Sequence, residues 1–394
     1  MKKSSFILLL AVYAAFFALG MPDGAFGVAW PDMRGELSLP LEMAASLVVV
    51  HSIFYSVTAG MEGRLAAKFG LDKLCGAGLV FLLAGILGFS FSPNLWGLMA
   101  STGIMGIGMG MLDSAANAFA AKHFSARHMS WLHCFWGLGG AVSPLIMTQM
   151  IVFFSWRAGY HAVFAVQAAA TVFVLITIAK GLWAVSVSKK DDERRNSVHL
   201  GGDSGHRFLQ ARRYQVMQWI IFLLYVAVEY SVTFWTVSVL IESRGMNIDI
   251  AGIFPAVYLG FMVAGRFVSG YFAGKFSGTV MIRTGFLVSI VGLAILVFTD
   301  NIVGIVGIAL VGAGFAPVFP CLMHETSRRF DPALLPKLVG LQVAAAGAGA
   351  ASSTLLMGQV LAHISLEALF PMIILLVVVT FLLNEIIELA MRRK

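Results

Sequence analysis

Long apolar stretches separated by short polar breaks run through almost the whole 394-residue chain. About 20 helical residues are needed to cross the apolar core of a bilayer, and each stretch reaches or approaches that length. The pattern therefore predicts an all-α polytopic membrane protein with twelve transmembrane helices. The predicted spans lie at 5–29, 42–61, 74–92, 95–121, 130–153, 159–183, 214–241, 250–273, 279–299, 302–324, 337–362 and 367–390.

One long polar segment interrupts this pattern between the sixth and seventh spans. Residues 186–213 contain the runs KKDDERRN and GGDSGHR, which are too polar and too rich in Gly to form a packed core. We therefore interpret the segment as a cytoplasmic linker. It joins an N-terminal six-helix bundle, residues 1–185, to a C-terminal six-helix bundle, residues 214–394.

The two halves repeat one another in sequence. Gly63–Phe69, after the second span, matches Gly270–Phe276, after the eighth, with Gly, Ala, Lys and Phe at equal spacing. A Gly-x-Gly triplet that begins at Gly108 in the fourth span likewise matches one that begins at Gly312 in the tenth. Two six-helix repeats joined by a polar linker are typical of transporters whose halves rock about a site near the middle of the membrane.

The positions of the 27 Lys and Arg residues indicate how the spans are oriented. If the N-terminus is cytoplasmic and the spans alternate, only Arg34, Arg157 and Arg244 fall outside, and Arg266 falls inside the eighth span. All the others then lie on the cytoplasmic side, as the positive-inside rule requires. We therefore expect both termini in the cytoplasm, and this orientation explains the net charge of +7 without nucleic-acid binding.

Composition excludes several other classes of protein. Only 12% of the residues are charged, about half the fraction in a soluble domain, so a soluble enzyme and a disordered chain are excluded. Cys75, Cys134 and Cys321 lie in or beside apolar segments without paired spacing, so we interpret them as core residues rather than disulfides or metal ligands. No Walker motif accompanies the Gly-rich runs, so the energy for transport must come from a gradient.

Three acidic residues lie well inside the apolar stretches: Asp23, Asp113 and Glu229. A charge at the centre of a bilayer costs at least about 3 kcal/mol, and a carboxyl group lowers that cost by taking up a proton. Such a group can couple the transport of a solute to the movement of protons. Asp113 and Glu229 are therefore the predicted proton-coupling residues. The alternative for Asp113 is a structural hydrogen bond between helices.

Polar and aromatic residues at helical spacing from the acids predict a substrate-binding wall. Asn117 lies one helical turn beyond Asp113, where it can hydrogen-bond the acid or a solute. On the seventh span, polar residues recur on one face around Glu229, and a nearby aromatic ring suits the apolar face of a sugar. The predicted substrate-binding residues on these two spans are Asn117, Tyr225, Glu229, Thr233 and Trp235.

Five segments carry a resemblance to a known family: Gly106–Phe119, Leu132–Pro144, Val228–Trp235, Gly260–Gly270 and Gly312–Pro320. The most specific, GIGMGMLDSAANAF, is rich in Gly and then places an acid before Ala-Ala-Asn. Together the segments resemble the major facilitator superfamily over essentially the whole chain. Within it they resemble the fucose–galactose–glucose:proton symporter branch, the fucose permease-like proteins. The chain departs from the pattern by having Asp113 where the branch usually has Glu, and Ala67 where the superfamily normally has Asp.

The resemblance implies roles for individual residues. It implies that Asp113 carries the proton, that Asp23 takes part in substrate recognition and that His133 lines the cavity. Gln342, in the corresponding region of the eleventh span, is a further candidate for substrate binding. From the residues alone, the Met-Pro-Asp-Gly sequence around Asp23 predicts a break in the first helix that frees carbonyls to face a cavity. Asp23 would then alternatively cap the outer segment.

Arg266 stays charged inside the eighth span, because a guanidinium does not release its proton in proteins. It must therefore find a carboxylate, carbonyl groups or water. One interpretation is a structural partner near the cytoplasmic gate, since the Gly-Arg pair resembles a recurrent feature of the eighth helix in the superfamily. The other is a counter-ion for an anionic substrate. The predicted gating or structural residues are Arg64, Lys68, Arg266 and Lys275.

The leading functional hypothesis is a proton-coupled symporter that takes up a small polar solute, a hexose-like sugar, by alternating access. The alternative is a proton-antiport exporter of amphipathic compounds or metabolites that uses the same acids. We expect no enzymatic activity, no metal, no nucleic-acid partner and no cofactor, with the proton gradient as energy source. The expected partners are a small-molecule substrate, protons and the lipid bilayer. We expect a monomer in the bacterial inner membrane.

Overall fold

The structure is a computed structural model that describes residues 3–124, 126–183, 209, 212–272, 275–299, 302–331 and 335–392. The predicted linker, 186–213, lies outside the described residues except for Leu209, Arg212 and Arg213. Every regular element in the described ranges is helical, and these ranges contain no strand. The prediction of an all-α protein is therefore confirmed.

Fifteen α-helices make up most of the described chain. They are, in order, α1 (Lys3–Glu36), α2 (Met43–Gly60), α3 (Glu62–Phe69), α4 (Leu71–Phe91), α5 (Leu95–His123), α6 (Ala126–Phe153), α7 (Trp156–Ala179), α8 (Arg212–Ser238), α9 (Ile248–Ala251), α10 (Ile253–Phe272), α11 (Gly278–Phe298), α12 (Gly304–Phe315), α13 (Val318–Arg329), α14 (Leu335–His363) and α15 (Leu369–Arg392). A π-helical turn, Val239–Ser243, extends α8, and a 3₁₀ turn, Leu366–Ala368, precedes α15.

Eleven helical segments of the described chain are long and apolar enough to cross a membrane, so the protein is a multi-pass membrane protein. Helix α14 corresponds to the predicted span 337–362 and is 29 residues long, but it is not among the eleven. A twelfth crossing at α14 stays a prediction.

Polar residues in the short breaks begin several of the helices. The side chains of Asn94, Ser155 and Ser277 each accept a hydrogen bond from the backbone N–H three residues later, at 3.0, 3.2 and 3.4 Å. These caps satisfy amide groups that the first turn of a helix leaves without a partner. The polar breaks that separate the apolar stretches therefore also determine where α5, α7 and α11 begin.

Helix α1 is continuous, so the predicted break around Asp23 is wrong. The helix runs through both Pro22 and Pro31. Pro22 has no N–H to donate to the carbonyl of Ala18, and Nε2 of Gln167 in α7 donates to that carbonyl instead, at 2.6 Å. The freed carbonyl is thus satisfied by a neighbouring helix, and Asp23 does not cap a broken segment.

The first half of the chain (α1–α7) and the second half (α8–α15) use the same kind of close helix packing. A Cβ atom added to Gly24 of α1 would collide with the carbonyl of Gly140 in α6. In the second half, a Cβ added to Gly349 of α14 would collide with the carbonyl of Leu223 in α8. Membrane helices approach this closely only where side chains are small or absent. The sequence repeat is therefore accompanied by a repeat in packing.

An arginine of the first half connects three helices at the end of the molecule where α1 ends. Arg157, at the start of α7, donates to the carbonyls of Ser90 and Ser92 at the end of α4, at 2.8 and 2.9 Å. It also donates to the carboxylate of Glu36, the last residue of α1, at 3.1 and 2.9 Å. This connection holds the ends of α1, α4 and α7 together.

The second half has a matching connection in which the charges are exchanged between elements. Arg244, just after the π-helical extension of α8, donates to the carbonyls of Leu296 and Thr299 at the end of α11, both at 2.8 Å. It also donates to the carboxylate of Glu367 in the turn before α15, at 2.6 Å. Here the arginine follows the first span of the half and the glutamate precedes the last, the reverse of the first half.

The two halves also contact each other at this end, which we call the closed end. Arg34 of α1 donates two hydrogen bonds to the carboxylate of Glu242 in the π-helical turn. The ring centres of Phe26 and Phe234 lie 4.9 Å apart. Among the ion pairs of the described residues, Arg34–Glu242 is the one that joins the two halves.

Candidate functional site

A large cavity lies between the two halves. Its volume is about 2110 Å³, larger than the roughly 300–1,000 Å³ of a usual small-molecule pocket. Its lining includes Asp23 and Asp113 from the first half, and Glu229 and Arg266 from the second. The cavity extends away from the closed end and reaches Arg392 at the end of α15. We call this second end, where α1 begins and α15 ends, the open end.

Two neutral donors hold the carboxylate of Asp113 on α5. The hydroxyl of Tyr55, on α2, donates to Oδ2, and Nδ2 of Asn117 donates to Oδ1 at 2.7 Å. Asn117 also donates to the backbone carbonyl of Asp113 at 3.0 Å, as its position one turn later allows. Asn117 is not part of the cavity lining; it contacts the acid that is.

Asp23 and Asp113 lie in the same part of the cavity, and their carboxylates interact electrostatically. The carboxylate of Asp23, on α1, also interacts with the side chain of Trp136 on α6. His133, three residues before Trp136 on the same helix, interacts electrostatically with Asp113. The first half therefore surrounds one region of the cavity with two acids and a histidine.

The carboxylate of Glu229 on α8 has a hydroxyl partner and a cationic partner. The hydroxyl of Tyr225, a buried residue one turn earlier, lies 2.9 Å from Oε1 of Glu229 and 3.0 Å from the carbonyl of Phe315. Nη2 of Arg266, on α10, lies 3.8 Å from the same Oε1. Thr233 lines the cavity, but its hydroxyl donates to the backbone carbonyl of Glu229, at 2.9 Å.

Arg266 and His133 connect the acids of the two halves. Arg266 interacts electrostatically with Glu229 in its own half and with His133 in the other, and His133 interacts with Asp113. The charged and titratable groups therefore form a row across the interface between the halves. A change in the charge of one acid consequently alters the electrostatic field on the opposite side of the cavity.

Four of the predicted substrate-binding residues are not part of the cavity lining: Asn117, Tyr225, Trp235 and Gln342. Asn117 and Tyr225 instead hydrogen-bond the acids that line the cavity, and the structure corrects the placement of Trp235 and Gln342. Trp235 is 0% exposed and packs against Gly358 of α14. Six residues after Glu229, it is rotated by about 120° around α8, so it faces a neighbouring helix instead of the cavity. Gln342 is also fully buried, and its amide donates to the hydroxyl of Thr326 at 3.1 Å. Both side chains take part in packing between helices.

Three of the predicted gating residues lie at the ends of spans and not in the cavity lining. Arg64 and Lys68 are exposed on α3, where Nζ of Lys68 lies 5.2 Å from the ring centre of Phe69. Lys275, just before α11, lies 4.6 Å from the ring centre of Tyr271. These are positions of the repeated Gly-x-x-Ala-x-Lys-Phe sequence, and their role in gating stays a prediction.

The sequence analysis did not select three residues that the structure places beside the acids. Tyr55 contacts Asp113, Trp136 contacts Asp23, and Gln167 contacts α1, the helix that carries Asp23. Tyr55 lies one turn after His51, and this polar pair on one face of an apolar helix was a usable signal. Trp136 follows His133 by three residues, and Gln167 is an isolated amide in an apolar helix. The spacing of Trp136 and the isolated position of Gln167 do not distinguish a site residue from a packing residue.

A cluster of ion pairs lies at the open end of the second half. Arg328 donates to the carboxylate of Glu325 and to that of Glu388 at 2.5 Å. The side chain of Arg329 is fully buried and donates to amide oxygens on α8 and α15, at 3.1 and 2.8 Å. All these partners belong to the second half, so the cluster holds α8, α13 and α15 together.

The fold and the cavity together define a class of protein. A multi-pass membrane protein whose two halves enclose one large cavity with acidic and basic groups in its wall has the architecture of a transporter of small molecules. The sequence profile of the Major Facilitator Superfamily matches residues 12–354, and the chain belongs to this family. The fold is that of secondary transporters that work by alternating access.

Two curated relatives match part of the chain. The niacin transporter NiaP of Acinetobacter baylyi is 27% identical over 182 residues, which are 45% of this chain and 40% of that protein. The phosphoglycerate transporter protein of Salmonella typhimurium is 23% identical over 180 residues, which are 44% of this chain and 39% of that protein. The matched region thus spans about two fifths of the length of these relatives.

Solved structures of transporters share the fold over nearly the whole chain. The inward-open structure of the xylose transporter XylE from E. coli matches with a TM-score of 0.73 and 14% identity, and the match covers 95% of each chain. At this level of identity the likeness concerns the fold alone.

Proposed function

We propose that the protein is a proton-coupled symporter that moves a small polar solute into the cell. The observation that carries the proposal is the pair of carboxylates, Asp113 and Glu229, which belong to different halves and line one cavity. Each carboxylate accepts a hydrogen bond from a tyrosine hydroxyl. Carboxylates inside a membrane protein change their charge by taking up a proton, and coupling to a proton gradient requires such groups.

The coupling step follows from the cost of a charge in a cavity that closes. While the cavity is open, water stabilises the ionised carboxylates, and this stabilisation is lost when the halves close over them. A proton on Asp113 or Glu229 removes the charge, so the protonated and solute-loaded protein is the form that changes its access. Asp23 and His133, which lie next to Asp113, contact the solute in this scheme.

The orientation of the cavity identifies the side of the membrane to which it opens. The open end carries both ends of the described chain, and the positive-inside rule assigns this end to the cytoplasm. The structure then corresponds to an inward-facing state, with Arg34 and Glu242 at the closed outer mouth. We place the protein in the inner membrane of a bacterium and propose a monomer as the transport unit, because one chain encloses the whole cavity.

The available similarities point to two different classes of small polar solute. The resemblance to the fucose permease-like branch implies a hexose-like sugar. The two curated relatives are named for niacin and phosphoglycerate, which are both acids. The alternative function, export of amphipathic compounds by proton antiport, would use the same carboxylates with the opposite direction of proton movement.

The proposal is tested with the purified protein in liposomes that contain a pH-sensitive dye. Hexoses, carboxylates and lipophilic cations are added outside the vesicles in turn, and the internal pH is followed. We expect at least one polar solute to drive protons into the vesicles. Proton efflux driven by a lipophilic cation, without influx for any polar solute, would establish the antiporter and overturn the proposal.

The same assay tests the two acids. We expect Asp113→Asn and Glu229→Gln to lose solute-driven proton influx, because an amide does not take up a proton. Asp249→Asn is the matched control, since Asp249 is an exposed acid on α9 outside the cavity, and it should retain the influx of the wild type. Wild-type influx in both cavity variants would contradict the proposal.

A further inference from the structure

Arg266 is bound less completely than other arginines of the spans. Its contact with Glu229, from Nη2 to Oε1, is 3.8 Å long, which is beyond hydrogen-bond distance. Its Nε is buried without a hydrogen-bond partner. By contrast, Arg34, Arg157 and Arg283 each donate two hydrogen bonds to a carboxylate. A guanidinium has five N–H donors, so Arg266 keeps donors for a further acceptor.

Arg266 lies where a solute would touch both halves of the protein. Its side chain is 19% exposed and forms part of the cavity lining. It interacts electrostatically with Glu229 on α8 and, across the interface, with His133 on α6. Arg328 and Arg329 each donate at least two hydrogen bonds to side-chain oxygens, although Nε of Arg329 also lacks a partner among the described residues. Arg266 is accessible from the cavity and has no such hydrogen bond within 3.5 Å to the described part of the chain.

The cavity walls on the helices that carry these groups are largely apolar and aromatic. The lining residues are Trp136 on α6, Tyr230 and Phe234 on α8, and Tyr258, Leu259 and Met262 on α10. A ligand site typically combines an apolar wall with a few polar groups that orient the ligand. One guanidinium beside an apolar wall suits a molecule that is anionic at one end and apolar at the other.

We propose that the solute is a small monocarboxylate with an apolar or aromatic body, whose carboxylate binds the guanidinium of Arg266. This inference rests on the proposed function, because it assigns a ligand to the same cavity. Glu229 and the solute then compete for one cation, and Glu229 releases Arg266 when it takes up a proton. Binding of the anion and protonation of Glu229 therefore favour each other, as thermodynamic linkage requires.

The acids of the cavity limit the charge of the solute. One guanidinium balances one negative charge, whereas Asp23, Asp113 and Glu229 repel a second one at short range. The site therefore takes a monoanion in preference to a dianion such as a phosphate monoester.

The first test compares benzoate with benzamide, which has the same ring but no charge. Binding to the purified protein in detergent is measured by titration calorimetry. We expect benzoate to bind about 10- to 100-fold more tightly than benzamide, as hydrogen bonds to a charged group imply. Equal affinities for benzoate and benzamide would overturn the inference.

Variants then test Arg266 itself. We expect Arg266→Gln to lose about 10- to 100-fold in benzoate affinity, Arg266→Lys to retain part of it, and Arg213→Gln, an exposed arginine at the start of α8, to bind like the wild type. Unchanged benzoate affinity in folded Arg266→Gln overturns the inference.

Glu229→Gln provides a test that does not depend on the folding of the arginine variants. This variant removes the competing carboxylate, so we expect it to bind benzoate more tightly than the wild type at pH 7. Unchanged or weaker benzoate binding in Glu229→Gln would overturn the inference.

The two proposals fail in different ways. Hexose-driven proton influx in liposomes, combined with no binding of benzoate, overturns this inference and leaves the proposed symport in place. Benzoate binding that depends on Arg266, combined with no proton influx for any solute, overturns the symport and leaves the assignment of Arg266 in place.

Discussion

The two carboxylates that line the cavity are placed alike but have different partners. Asp113 has neutral donors, the hydroxyl of Tyr55 and the amide of Asn117. Glu229 has one hydroxyl donor and the cation Arg266. A proton on Asp113 removes a charge but no ion pair, whereas a proton on Glu229 removes the electrostatic attraction between α8 and α10. Protonation of Glu229 would therefore weaken a contact between two helices, whereas protonation of Asp113 would not.

The two halves have some features in common but differ in where the hydrogen-bond donors of their acids come from. Each half places in the same cavity an acid that accepts a hydrogen bond from a tyrosine hydroxyl, and both halves pack their helices through glycines at close approach. The donors differ because they come from different places: Tyr55 belongs to another helix than its acid, while the Tyr225 hydroxyl is one turn from Glu229 on the same helix. Both halves therefore have an acid at the cavity, but the partners of that acid differ between the halves.

The largest effect is expected from removing the tyrosine hydroxyls. Tyr225→Phe leaves both Glu229 and the carbonyl of Phe315 without their hydroxyl partner, and we expect it to cost about 1–3 kcal/mol in free energy of unfolding. Tyr55→Phe leaves Asp113 with the amide of Asn117 and should cost about 1 kcal/mol. Thermal unfolding followed by tryptophan fluorescence gives the order of the two variants.

Tyr214→Phe is the matched control for both hydroxyl deletions. The hydroxyl of Tyr214 accepts an exposed hydrogen bond from Arg213 at 3.0 Å, so its loss should change the free energy of unfolding by no more than about 0.5 kcal/mol. Equal destabilisation by Tyr55→Phe and Tyr225→Phe would show that the second contact of the Tyr225 hydroxyl, with the carbonyl of Phe315, does not stabilise the fold.

An intermediate effect is expected from the residues one turn after each acid. Asn117 donates to the carboxylate of Asp113, but Thr233 donates only to the backbone carbonyl of Glu229. We therefore expect Asn117→Ala to reduce solute-driven proton influx by about tenfold, as the loss of a hydrogen bond to a charged group implies. Thr233→Ala should reduce it less. Equal reductions, measured with the same liposome assay, would contradict this ranking.

The smallest effect on transport is expected at Trp235, which lies on α8 but away from the cavity. Trp235→Phe should keep the solute-driven influx of the wild type while lowering the free energy of unfolding by about 1–3 kcal/mol, because a smaller ring leaves space against Gly358. Loss of influx in a Trp235→Phe variant with normal thermal stability would show that Trp235 takes part in substrate binding.

The positions of most helices could be predicted from hydropathy, since the apolar length needed to cross a membrane is fixed. The predicted span 95–121 corresponds to α5, Leu95–His123, and the span 74–92 to α4, Leu71–Phe91. The predicted first span stops at residue 29, but α1 continues to Glu36. Its last turns are polar because their charges are paired across the closed end, and hydropathy does not register such tertiary contacts.

The acids of the cavity could be selected from sequence because a charge in an apolar stretch is costly and therefore conspicuous. Their partners could not, since these depend on which faces of other helices meet them. Tyr230 and Trp235 illustrate the limit: both are aromatic residues of α8 close to Glu229, yet Tyr230 lines the cavity and Trp235 does not. Periodicity defines the faces of a helix but not which neighbour each face receives.

The arginines at the closed end determine how many ionic bonds must break before that end can open. Arg157 and Arg244 use their donors within their own halves, so each half can move as a rigid body with these bonds intact. Among the described residues, Arg34–Glu242 is the one ion pair that joins the two halves at the closed end, and its side chains are 28% and 17% exposed. A partly exposed pair contributes about 0–1 kcal/mol and weakens as salt is added. Ionic strength should therefore shift the fraction of molecules in which the Arg34–Glu242 pair is formed, without a change in the residues that line the cavity.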